Sequence, residues 1–527
     1  MSAIGHVVLV GLPGSGKSTV APLLAQRLGR GSVDTDADVE RRLGMSVARV
    51  FADLGEARFR IEEREAAELA LASPEPLVIA AGGGLIVEQG AVDVLSRNAT
   101  LVCLDAADTQ LIARLGSDGT ERPLLTGAPQ DALHHLRAVR SAAYGHAQVH
   151  IRTDGCTPAE VADRIAAALS GAVRVATGHP YLVRVGAGVL DGIAEHLPAT
   201  ARRVAIIADL TVSRVAEDIA VRLRRQDVAA SVFTIEGGED AKRWSVAGGL
   251  LERCSDAGLE RDDCIVAVGG GTLGDVAGLV AATYLRGIAW VVVPTTLLAM
   301  VDSAVGGKTA VNLRRGKNLA GVFWQPRAVL CDPAVLDPLG DRTFRSAFAE
   351  IVKSSMVGGG DLSELVERRL QAGLGRDREA LAELVRGCCE LKADVVAGDE
   401  RESGRRAILN YGHTVGHAVE ALTGLGSGLD HGEAVAFGMR VAGALSIVES
   451  GCPADDIAHQ DDLLDACGLT QTPRLAPAEI AAQLGLDKKA RGGVARWVLL
   501  RRRGEPVTGI VVEPETVRHA LSKAVTA

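Results

Sequence analysis

The sequence predicts an α/β protein made of two successive units, and three observations indicate this fold class. Short apolar segments typical of buried parallel strands alternate with amphipathic helical segments over residues 1–170. A second alternation of strands and helices begins beyond a boundary at residues 170–172. After residue 335 strands become scarce and helical periodicity dominates. We therefore predict one complete α/β domain, followed by a unit that is first α/β and then mostly α-helical.

The individual elements follow from their residue types. Short runs rich in Val, Ile, Leu and Ala predict buried strands, and periods of 3.6 predict helices. In the first unit the predicted elements are strands at 7–10, 77–80 and 101–104 and a closing helix at 158–169. In the second unit they are strands at 205–208, 231–235, 265–268 and 290–293 and helices at 362–370 and 380–396.

Composition and charge exclude several classes of partner. The 527 residues are 47% hydrophobic and 23% charged, which supports several globular domains with sizeable cores. Aromatic residues make up only 3% and the net charge is −9, so neither base-stacking surfaces nor general polyanion binding is expected. We expect small-molecule partners and no nucleic acid.

The cysteines and the apolar segments predict a cytoplasmic protein without a membrane partner. Nine scattered cysteines without a CxxC pair are typical of reduced thiols. The first residues lack the basic segment of a signal peptide. The longest uncharged apolar segment, residues 287–301, is shorter than the roughly 18 residues that span a bilayer.

A phosphate-binding loop follows the first predicted strand. Residues 11–18 read Gly-Leu-Pro-Gly-Ser-Gly-Lys-Ser and match GxxxxGK[ST] between a strand and a helix, which is the context that the motif requires. Its backbone N–H groups suit a triphosphate, Lys17 suits the outer phosphates, and the Ser18 hydroxyl suits Mg²⁺. The motif predicts nucleotide binding.

The acceptor of the phosphoryl group is less directly encoded. The residues 34–36, Asp-Thr-Asp, follow the expected end of a second strand, where one carboxylate suits Mg²⁺ and the other a substrate hydroxyl. The same residues equally suit a turn and a helix cap. Arg60, Arg122 and Arg140 with the glycines 82–84 favour an anionic, polyhydroxylated acceptor, although a single arginine is more often a surface ion pair.

Together these motifs resemble shikimate kinase over residues 4–170. The resemblance implies ATP-dependent phosphorylation of shikimate with Mg²⁺, with Asp36 and Arg122 as catalytic residues and Arg122 on a lid at 115–128. The implied ATP and magnesium contacts are Gly14, Ser15, Gly16, Lys17, Ser18, Thr19, Asp34 and Arg122. The implied shikimate contacts are Asp36, Arg60, Gly82, Gly83, Gly84 and Arg140.

A second site is indicated by a glycine-rich turn and a group of histidines. Residues 269–275, Gly-Gly-Gly-Thr-Leu-Gly-Asp, follow a strand and suit a dinucleotide pyrophosphate, although the turn alone is a weak signal. His413 and His417 are spaced i,i+4 on one helix face, which suits Zn²⁺ if a further ligand comes from elsewhere. Glu350 is a candidate carboxylate ligand. Two satisfied histidines without a metal are the alternative.

Lys308 and Lys317 lie in glycine-rich apolar segments, where they suit phosphate or carboxylate binding. Other basic residues nearby would individually be solvated charges more often than not. The second unit, over residues 178–527, resembles 3-dehydroquinate synthase, on the glycine turn and on the segments 294–299, 301–308, 409–417, 431–435 and 487–489. The resemblance implies cyclisation of 3-deoxy-D-arabino-heptulosonate 7-phosphate to 3-dehydroquinate with release of phosphate.

The same resemblance implies a recycled NAD, a divalent metal (Zn²⁺, or another such as Co²⁺), a Rossmann-like NAD-binding domain and a helical metal-binding domain. Its metal ligands are Glu350, His413 and His431, with His417 and Lys353 as catalytic residues. Its NAD contacts are Asp209, Glu239, Lys242, Gly270, Gly271, Asp275, Thr295, Thr296 and Lys317. Its substrate contacts are Arg286, Asp302, Lys308, Asn318, Lys392, Arg406, Asn410, His417 and Lys488, with Arg286 reaching a neighbouring subunit in a homodimer.

The predicted boundaries are a P-loop kinase domain at 1–170, a linker at 171–177, an NAD-binding domain at 178–335 and a helical domain at 336–527. Several positions depart from the families' patterns. The segment 153–156 lacks an arginine that some kinases place beside adenine. In the synthase half the departures are Ala310, Trp324, the turn 338–340 and Ala347.

The leading hypothesis is a bifunctional enzyme that makes 3-dehydroquinate and phosphorylates shikimate. For the second half, another sugar-phosphate cyclase or a metal-dependent polyol dehydrogenase is an alternative, and Lys308, Asn318 and Arg286 disfavour the dehydrogenase. For the first half, a gluconate-type or nucleotide kinase is the rival, and Arg60 with Arg140 disfavours it. A non-catalytic P-loop module that regulates an active synthase or cyclase is an alternative of a different class.

Overall fold

A computed structural model of the chain describes residues 4–87, 90–118, 129–423, 428–490 and 495–526. The strands are β1 (His6–Val10), β2 (Gly31–Asp34), β3 (Leu77–Ala80), β4 (Ala99–Asp105), β5 (Val149–Arg152), β6 (Ala172–Val175), β7 (Tyr181–Val185), β8 (Arg203–Asp209), β9 (Ala229–Ile235), β10 (Cys264–Gly269), β11 (Ala289–Pro294), β12 (Lys308–Leu313), β13 (Gly316–Phe323), β14 (Ala328–Cys331), β15 (Trp497–Leu500) and β16 (Pro506–Ile510).

The helices alternate with the strands as far as β14 and then dominate. They are α1 (Lys17–Leu28), α2 (Thr35–Leu43), α3 (Val47–Leu54), α4 (Glu56–Leu71), α5 (Ala91–Asn98), α6 (Asp108–Asp118), α7 (Pro129–Tyr144), α8 (Pro158–Leu169), α9 (Ser213–Arg224), α10 (Trp244–Asp256), α11 (Gly271–Thr283), α12 (Asp341–Ser346), α13 (Phe348–Gly358), α14 (Gly360–Leu374), α15 (Arg378–Gly398), α16 (His413–Thr423), α17 (His431–Ser450), α18 (Ala454–Ala466), α19 (Pro477–Ala490) and α20 (Pro514–Thr526).

The first sheet has the order β2-β3-β1-β4-β5, and the pairs are parallel. β1 is buried along its whole length because helices cover both faces of the sheet, which explains its continuous apolar run. α1 and α8 pack on one face. A small separate core of Val39, Val50, Phe59 and Ala66 joins α2, α3 and α4 beside the sheet. The carboxyl ends of β1, β2 and β3 therefore converge on one edge.

The second sheet has the order β6-β7-β14-β11-β10-β8-β9. Its strands run parallel except for the edge strand β6, which pairs antiparallel with β7. β6 lies inside the segment predicted as a linker, so residues 172–175 are a strand of the second unit. The physical reason is that β6 pairs with β7 and that Val173 and Val175 are buried in the core of the second unit, which a free linker does not allow.

The helical part completes the second unit and shares its core. One continuous cluster of buried apolar residues runs from the strands of the second sheet into α13, α15 and α17. α16 and α17 pack against each other, and the antiparallel pair β15–β16 lies against α17. A separate antiparallel hairpin, β12–β13, follows β11 and pairs Lys308 with Phe323. This arrangement brings the ends of β10 and β11, the hairpin and the first turns of α16 and α17 close to one another.

The strands and helices predicted from periodicity are all present, including the closing helix at Pro158–Leu169 and the helical character after residue 335. The α/β fold class is confirmed. None of the helices in the described ranges combines the length and the apolarity needed to cross a bilayer.

Candidate active sites

The phosphate-binding loop joins β1 to α1. Gly14 and Gly16 adopt positive φ angles of 82° and 96°, which side chains other than glycine rarely tolerate. The Lys17 ammonium donates to the carbonyl oxygens of Gly11 at 2.9 Å and Leu12 at 3.3 Å. The buried Ser15 hydroxyl has no hydrogen-bond partner among the described residues. This helix N-terminus, with a lysine held against the loop and a buried hydroxyl available to bond, suits the binding of phosphate oxygens.

The glycine turn at residues 82–84 collects the residues predicted to hold the acceptor. A side chain at Gly82 would come within 2.6 Å of Asp36 Oδ1, and one at Gly83 within 2.7 Å of Arg140 Nη1. A side chain at Gly84 would overlap the Arg60 guanidinium. Because only hydrogen fits at all three positions, the turn lies directly against the carboxylate and both arginines. The predicted acceptor residues are thus close together in space.

Two acidic residues of α4 fix Arg60 beside the turn. Its guanidinium contacts Glu63 at 2.7 Å and Glu56 at 3.0 Å, and Glu63 is completely buried. Burial opposes the charge, but Glu63 and Glu56 outweigh it and raise the pKa of Arg60. Glu63 was not among the predicted site residues. Its spacing of three from Arg60, which brings the two side chains together on a helix such as α4, was the signal that could have identified it.

Asp34 caps α2, because its Oδ1 accepts from the backbone N–H groups of Asp36 at 3.0 Å and Ala37 at 3.2 Å. The cap and the predicted magnesium role are compatible, since the second oxygen of the Asp34 carboxylate remains.

Arg114 of α6 was not predicted as a site residue. It donates to the Gly14 carbonyl at 3.4 Å and to the Thr153 carbonyl at 2.6 Å. It therefore joins the phosphate loop to the segment 153–156, which lacks the arginine that some kinases place beside adenine.

Arg122 lies outside the described residues, as does most of the predicted lid. Lys488 lies in α19, but its side chain is not among those that the structure describes. The predicted roles of these two residues remain predictions. Thr19 and Ser18 lie in the first turn of α1, directly after Lys17, as the motif requires.

The second site begins at the carboxyl ends of the second sheet. A side chain at Gly271, the first residue of α11, would come within 2.5 Å of the Ser303 hydroxyl, and one at Gly270 within 3.1 Å of Thr296. Asp209 ends β8 and accepts from the Thr211 N–H and hydroxyl at 2.9 and 2.8 Å. The carboxyl ends of these strands thus present backbone N–H groups and the Asp209 carboxylate along one edge of the sheet. Open α/β sheets bind dinucleotides at this edge.

A polar network links the predicted NAD contacts to a predicted substrate contact. The buried Lys242 ammonium lies 2.5 Å from Asp275 Oδ2 and also contacts the Asn318 side chain. Asn312 donates to Glu239 at 2.6 Å and accepts from the Asn318 N–H at 2.8 Å. Four predicted residues therefore form one connected group, with Asn312 as a member that sequence reasoning missed. Buried Thr295 lies at the end of the neighbouring strand.

Three ligand-type side chains meet between α13, α16 and α17. His413 Nε2 and His431 Nε2 lie 3.5 and 3.6 Å from Glu350 Oε1, and the three candidate ligand atoms all lie within 4.8 Å of one another. Glu350 Oε1 is buried without a hydrogen-bond partner in the part of the chain that the structure describes. An orphaned buried carboxylate oxygen facing two imidazole nitrogens fits a divalent metal such as Zn²⁺.

The charges around this cluster set the protonation state of each candidate ligand. Burial alone would raise the pKa of Glu350, but Lys353 and His413 outweigh it and lower that pKa to about 2. Burial and then Lys353 lower the pKa of His413 to about 3, so its imidazole is neutral. Burial opposes a charge on His431, yet the carboxylates of Glu350 and Glu420, which face its two ring nitrogens, raise its pKa to about 10. Lys353 is itself buried against Glu350.

His417 stands apart from the three ligands. Its ring centroid lies 5.1 Å from that of His413 and 6.4 Å from that of His431. The i,i+4 spacing alone favours His417 as a ligand, but within the described ranges the close cluster contains His431 instead. Burial lowers the pKa of His417, and Lys317 contributes to this, so the hairpin β12–β13 brings that lysine towards the metal cluster.

The remaining predicted substrate contacts surround the same space. The Lys392 ammonium lies 2.5 Å from Asp302 Oδ1, and Lys308 lies 2.5 Å from Glu402. Buried Arg406 donates to the carbonyl oxygens of Glu400 at 2.9 Å and Gly306 at 3.3 Å. Three cations are thus held in place by acidic or carbonyl groups before any substrate binds, which suits a preorganised site for an anion.

Asn410 ends the 3-10 turn that precedes α16, and it lies within hydrogen-bonding range of Glu402. Arg286 is exposed, as are the predicted contacts Lys308 and Asn318. It follows Leu285 in a bend where both residues have positive φ angles, 50° and 66°. Trp324, one of the departures, packs on Gly287 of this bend and donates to the Ile288 carbonyl at 3.0 Å.

Comparison with known proteins decides the family. Models of the N-terminal and C-terminal parts of 3-dehydroquinate synthase match residues 232–346 and 347–490. A 3-dehydroquinate synthase from Caulobacter vibrioides is 44% identical over 336 residues, which cover 62% of this chain and 90% of that protein. The chain belongs to the 3-dehydroquinate synthase family. The model of shikimate kinase matches residues 13–170.

Solved structures agree with this assignment. The complex of 2-deoxy-scyllo-inosose synthase with carbaglucose-6-phosphate, NAD⁺ and Co²⁺ is 29% identical, with a TM-score of 0.61, and covers 67% of this chain and 99% of that one. The 2-epi-5-epi-valiolone synthase from Streptomyces hygroscopicus subsp. jinggangensis 5008 with NAD⁺ and Zn²⁺ is 28% identical, with a TM-score of 0.60, and covers 66% of this chain and 97% of that one.

The predicted bifunctional enzyme is confirmed: a shikimate kinase domain precedes a 3-dehydroquinate synthase unit in one chain. The shared families favour this interpretation over an inactive P-loop module fused to a synthase. Both activities act on small-molecule substrates.

Proposed function

We propose that the described side chains divide the two reactions between two separate sites, with the roles that the family resemblances imply. In the kinase domain, the loop at residues 11–18 and Thr19 bind the phosphates of ATP. Mg²⁺, held by Ser18 and Asp34, would neutralise charge on the transferring phosphoryl group. Arg114 supports the loop from α6, since it bonds the Gly14 carbonyl.

Shikimate carries a carboxylate and neighbouring hydroxyl groups, and the pocket offers a partner for each. Arg60 and Arg140 provide two guanidinium groups for the carboxylate, which pair best in a bidentate geometry. Asp36 lies against the glycine turn and accepts the proton of the reacting hydroxyl. By the same resemblance, Arg122 would add positive charge beside the phosphoryl group.

The synthase site holds its cofactor between the sheet edge and the polar network. Asp209 binds ribose hydroxyls, and Gly270 and Gly271 let the pyrophosphate approach the N-terminus of α11. Glu239, Lys242, Asp275, Thr295 and Thr296 complete these contacts, with Lys317 at the far end. NAD supplies reversible hydride acceptance at a substrate carbon, which no side chain can provide.

Glu350, His413 and His431 would hold the metal, which acidifies and orients a substrate hydroxyl. Lys353 keeps Glu350 ionised by direct contact. His417, neutral and outside the ligand set, is free to accept and return a proton near the phosphate. Lys392, paired with Asp302, and Arg406 fix the sugar acid in one pose for all steps. The other proposed substrate contacts are Lys308, Asn318, Asn410 and Lys488.

Arg286 points to a homodimer. It is exposed on a left-handed bend, and its proposed ligand is the substrate of a neighbouring subunit. We further propose a reducing compartment such as the cytoplasm, because the nine cysteines are free and all but Cys156 are buried as thiols.

The metal cluster beside two buried lysines, Lys353 and Lys392, is the observation that carries the synthase proposal. The test is phosphate release from 3-deoxy-D-arabino-heptulosonate 7-phosphate, with and without prior chelation, run beside a coupled assay of ADP formation with shikimate. Release that needs metal and NAD, together with shikimate-dependent ADP, would support both sites. Release without shikimate-dependent ADP would refute the kinase roles alone.

A further inference from the structure

One arginine of the synthase half bonds the kinase domain directly. Arg327 immediately precedes β14, and its guanidinium Nη1 and Nη2 donate to the carbonyl oxygens of Gly145 and Ala147, each at 2.8 Å. Its Nε donates to the carbonyl of His196 at 3.2 Å. One side chain therefore joins two carbonyl groups of the kinase domain to one of the synthase unit.

The backbone of Arg327 is held as firmly as its side chain. Its N–H donates to the Trp290 carbonyl at 2.8 Å, and the next residue, Ala328, is buried in register with Val291 of β11. The arginine therefore projects from the rigid second sheet rather than from a loose connection. A group anchored in this way defines the position of what it bonds.

The two kinase carbonyls lie in the turn that directly follows α7. Gly145 and Ala147 follow the last residue of that helix, and their N–H groups still bond the carbonyls of Ser141 at 2.9 Å and Tyr144 at 3.0 Å. The N–H groups of this turn thus already bond the last carbonyls of the helix, which lack partners within it. A guanidinium that bonds the carbonyls of the turn therefore holds the end of α7 in place, and here it comes from the other half of the chain.

α7 is the helix that reaches the acceptor pocket. Arg140 and Tyr144 lie one turn apart on it, and both are buried. Tyr144 donates to the Gly83 carbonyl at 3.1 Å, and Arg140 lies against the same glycine. A shift of the end of α7 therefore moves both side chains relative to the glycine turn.

We propose that Arg327 is a positioning residue for the kinase reaction: it holds the turn after α7 from the synthase half and so sets Arg140 against the carboxylate of the acceptor. The inference rests on the acceptor role proposed above for Arg140. Arg327 touches no reacting group itself. Because a charge-assisted bidentate contact depends on geometry, a displaced Arg140 weakens acceptor binding more than it slows phosphoryl transfer.

The test compares full-length variants Arg327→Met and Arg327→Lys in both assays. We expect the KM for shikimate to rise about tenfold in Arg327→Met, with kcat and the KM for ATP within about twofold of the unchanged chain. Lysine keeps the charge and reaches fewer carbonyls, so Arg327→Lys is expected to fall between the two. Synthase activity should persist in both variants and report that the junction is folded.

Glu195→Gln is the matched control. Glu195 also crosses the junction, but its contact, 3.2 Å to Arg164, reaches α8 instead of α7. The control is expected to leave the KM for shikimate unchanged.

Three outcomes would overturn the inference. If the parent chain phosphorylates shikimate, an unchanged KM for shikimate in Arg327→Met would overturn this inference and leave the proposed kinase function standing. Equal rises in the KM of shikimate and ATP, or an equal rise in Glu195→Gln, would make Arg327 a general junction contact. A parent chain without shikimate-dependent ADP formation would overturn the proposed kinase function and this inference with it.

Discussion

Glu420 Oε1 lies 3.4 Å from Nδ1 of His431, on the side of the imidazole opposite to Glu350. The ring is therefore held between two carboxylates, one a candidate metal ligand and the other behind the ligand. Such an outer carboxylate fixes both the tautomer and the orientation of a metal-bound histidine. Glu420 was not among the residues predicted for this site, although it follows His413 by two helical turns.

Substitution Glu420→Gln should weaken metal binding without removing a ligand. We expect the affinity for Zn²⁺ to fall about 10- to 100-fold, because His431 loses the acceptor that orients it. Titration of metal-free protein with Zn²⁺ in the presence of a competing chelator measures this directly. The matched control is Glu390→Gln, an exposed glutamate of α15, which should bind Zn²⁺ normally. Equal affinity in both variants would contradict the orienting role of Glu420.

Metal binding should also release a proton. In the metal-free protein the pKa of His431 is about 10, so the ring is protonated near neutral pH, whereas only neutral imidazole binds a metal. Glu350 and His413, with pKa values of about 2 and 3, are already deprotonated near neutral pH, so they release no further proton when the metal binds. We expect about one proton released per Zn²⁺ at about pH 7.5, and tighter binding as pH rises. Calorimetry in buffers of different ionisation enthalpy measures it, and no buffer dependence would refute it.

The parts that sequence reasoning predicted correctly are those encoded by local pattern. The buried strands, the phosphate loop and the helical character after residue 335 depend on neighbours a few positions apart, and the structure reproduces them. The i,i+4 histidine pair shows where such reasoning ends. His431 begins the helix after the one that carries His417, and only the packing of α16 on α17 brings it to Glu350.

The residues that were missed act through long-range or backbone contacts. Arg114 and Arg327 bond carbonyl oxygens, which are present at every position of a chain and so leave no mark in a sequence. Asn312 joins Glu239 to Asn318 only because the hairpin β12–β13 folds back. The strand β6 was assigned to a linker because it begins within the boundary signal at 170–172 and Arg174 interrupts its apolar run.

Replacing Gly84 by alanine should disable the acceptor pocket alone. The added methyl group would overlap the Arg60 guanidinium, which is held by Glu63 and Glu56 and so has little room to move. We expect the KM for shikimate to rise at least about tenfold, with synthase activity unchanged. Gly248→Ala in α10, where no atom of the described residues lies within 4 Å of the added carbon, is the control. Normal shikimate kinetics in Gly84→Ala would contradict the assignment of Arg60.

Lys392 and Lys308 allow a buried and an exposed ion pair of the same site to be compared. Lys392→Met leaves Asp302, whose side chain is 33% exposed, without its closest cation. We expect a loss of about 2–3 kcal/mol in the free energy of unfolding, below the fully buried range because of that exposure. Lys308 is 47% exposed, so Lys308→Met should cost less than about 1 kcal/mol. Denaturant titration measures the free energy of unfolding of both variants. Equal losses would show that burial does not determine how much these two ion pairs contribute to stability.

The exposed position of Arg286 leads to a test of the proposed homodimer. If Arg286 completes the neighbouring subunit's site, Arg286→Ala and His417→Ala proteins are each inactive as synthases but complement each other. A mixed dimer then has one site with both residues intact and one with neither. Random mixing of equal amounts should restore about one quarter of the original activity, since half of the dimers are mixed and half of their sites work. The kinase activity of each variant should stay constant and serves as the internal control. Mixed dimers that form but recover no phosphate release would place Arg286 outside the shared site.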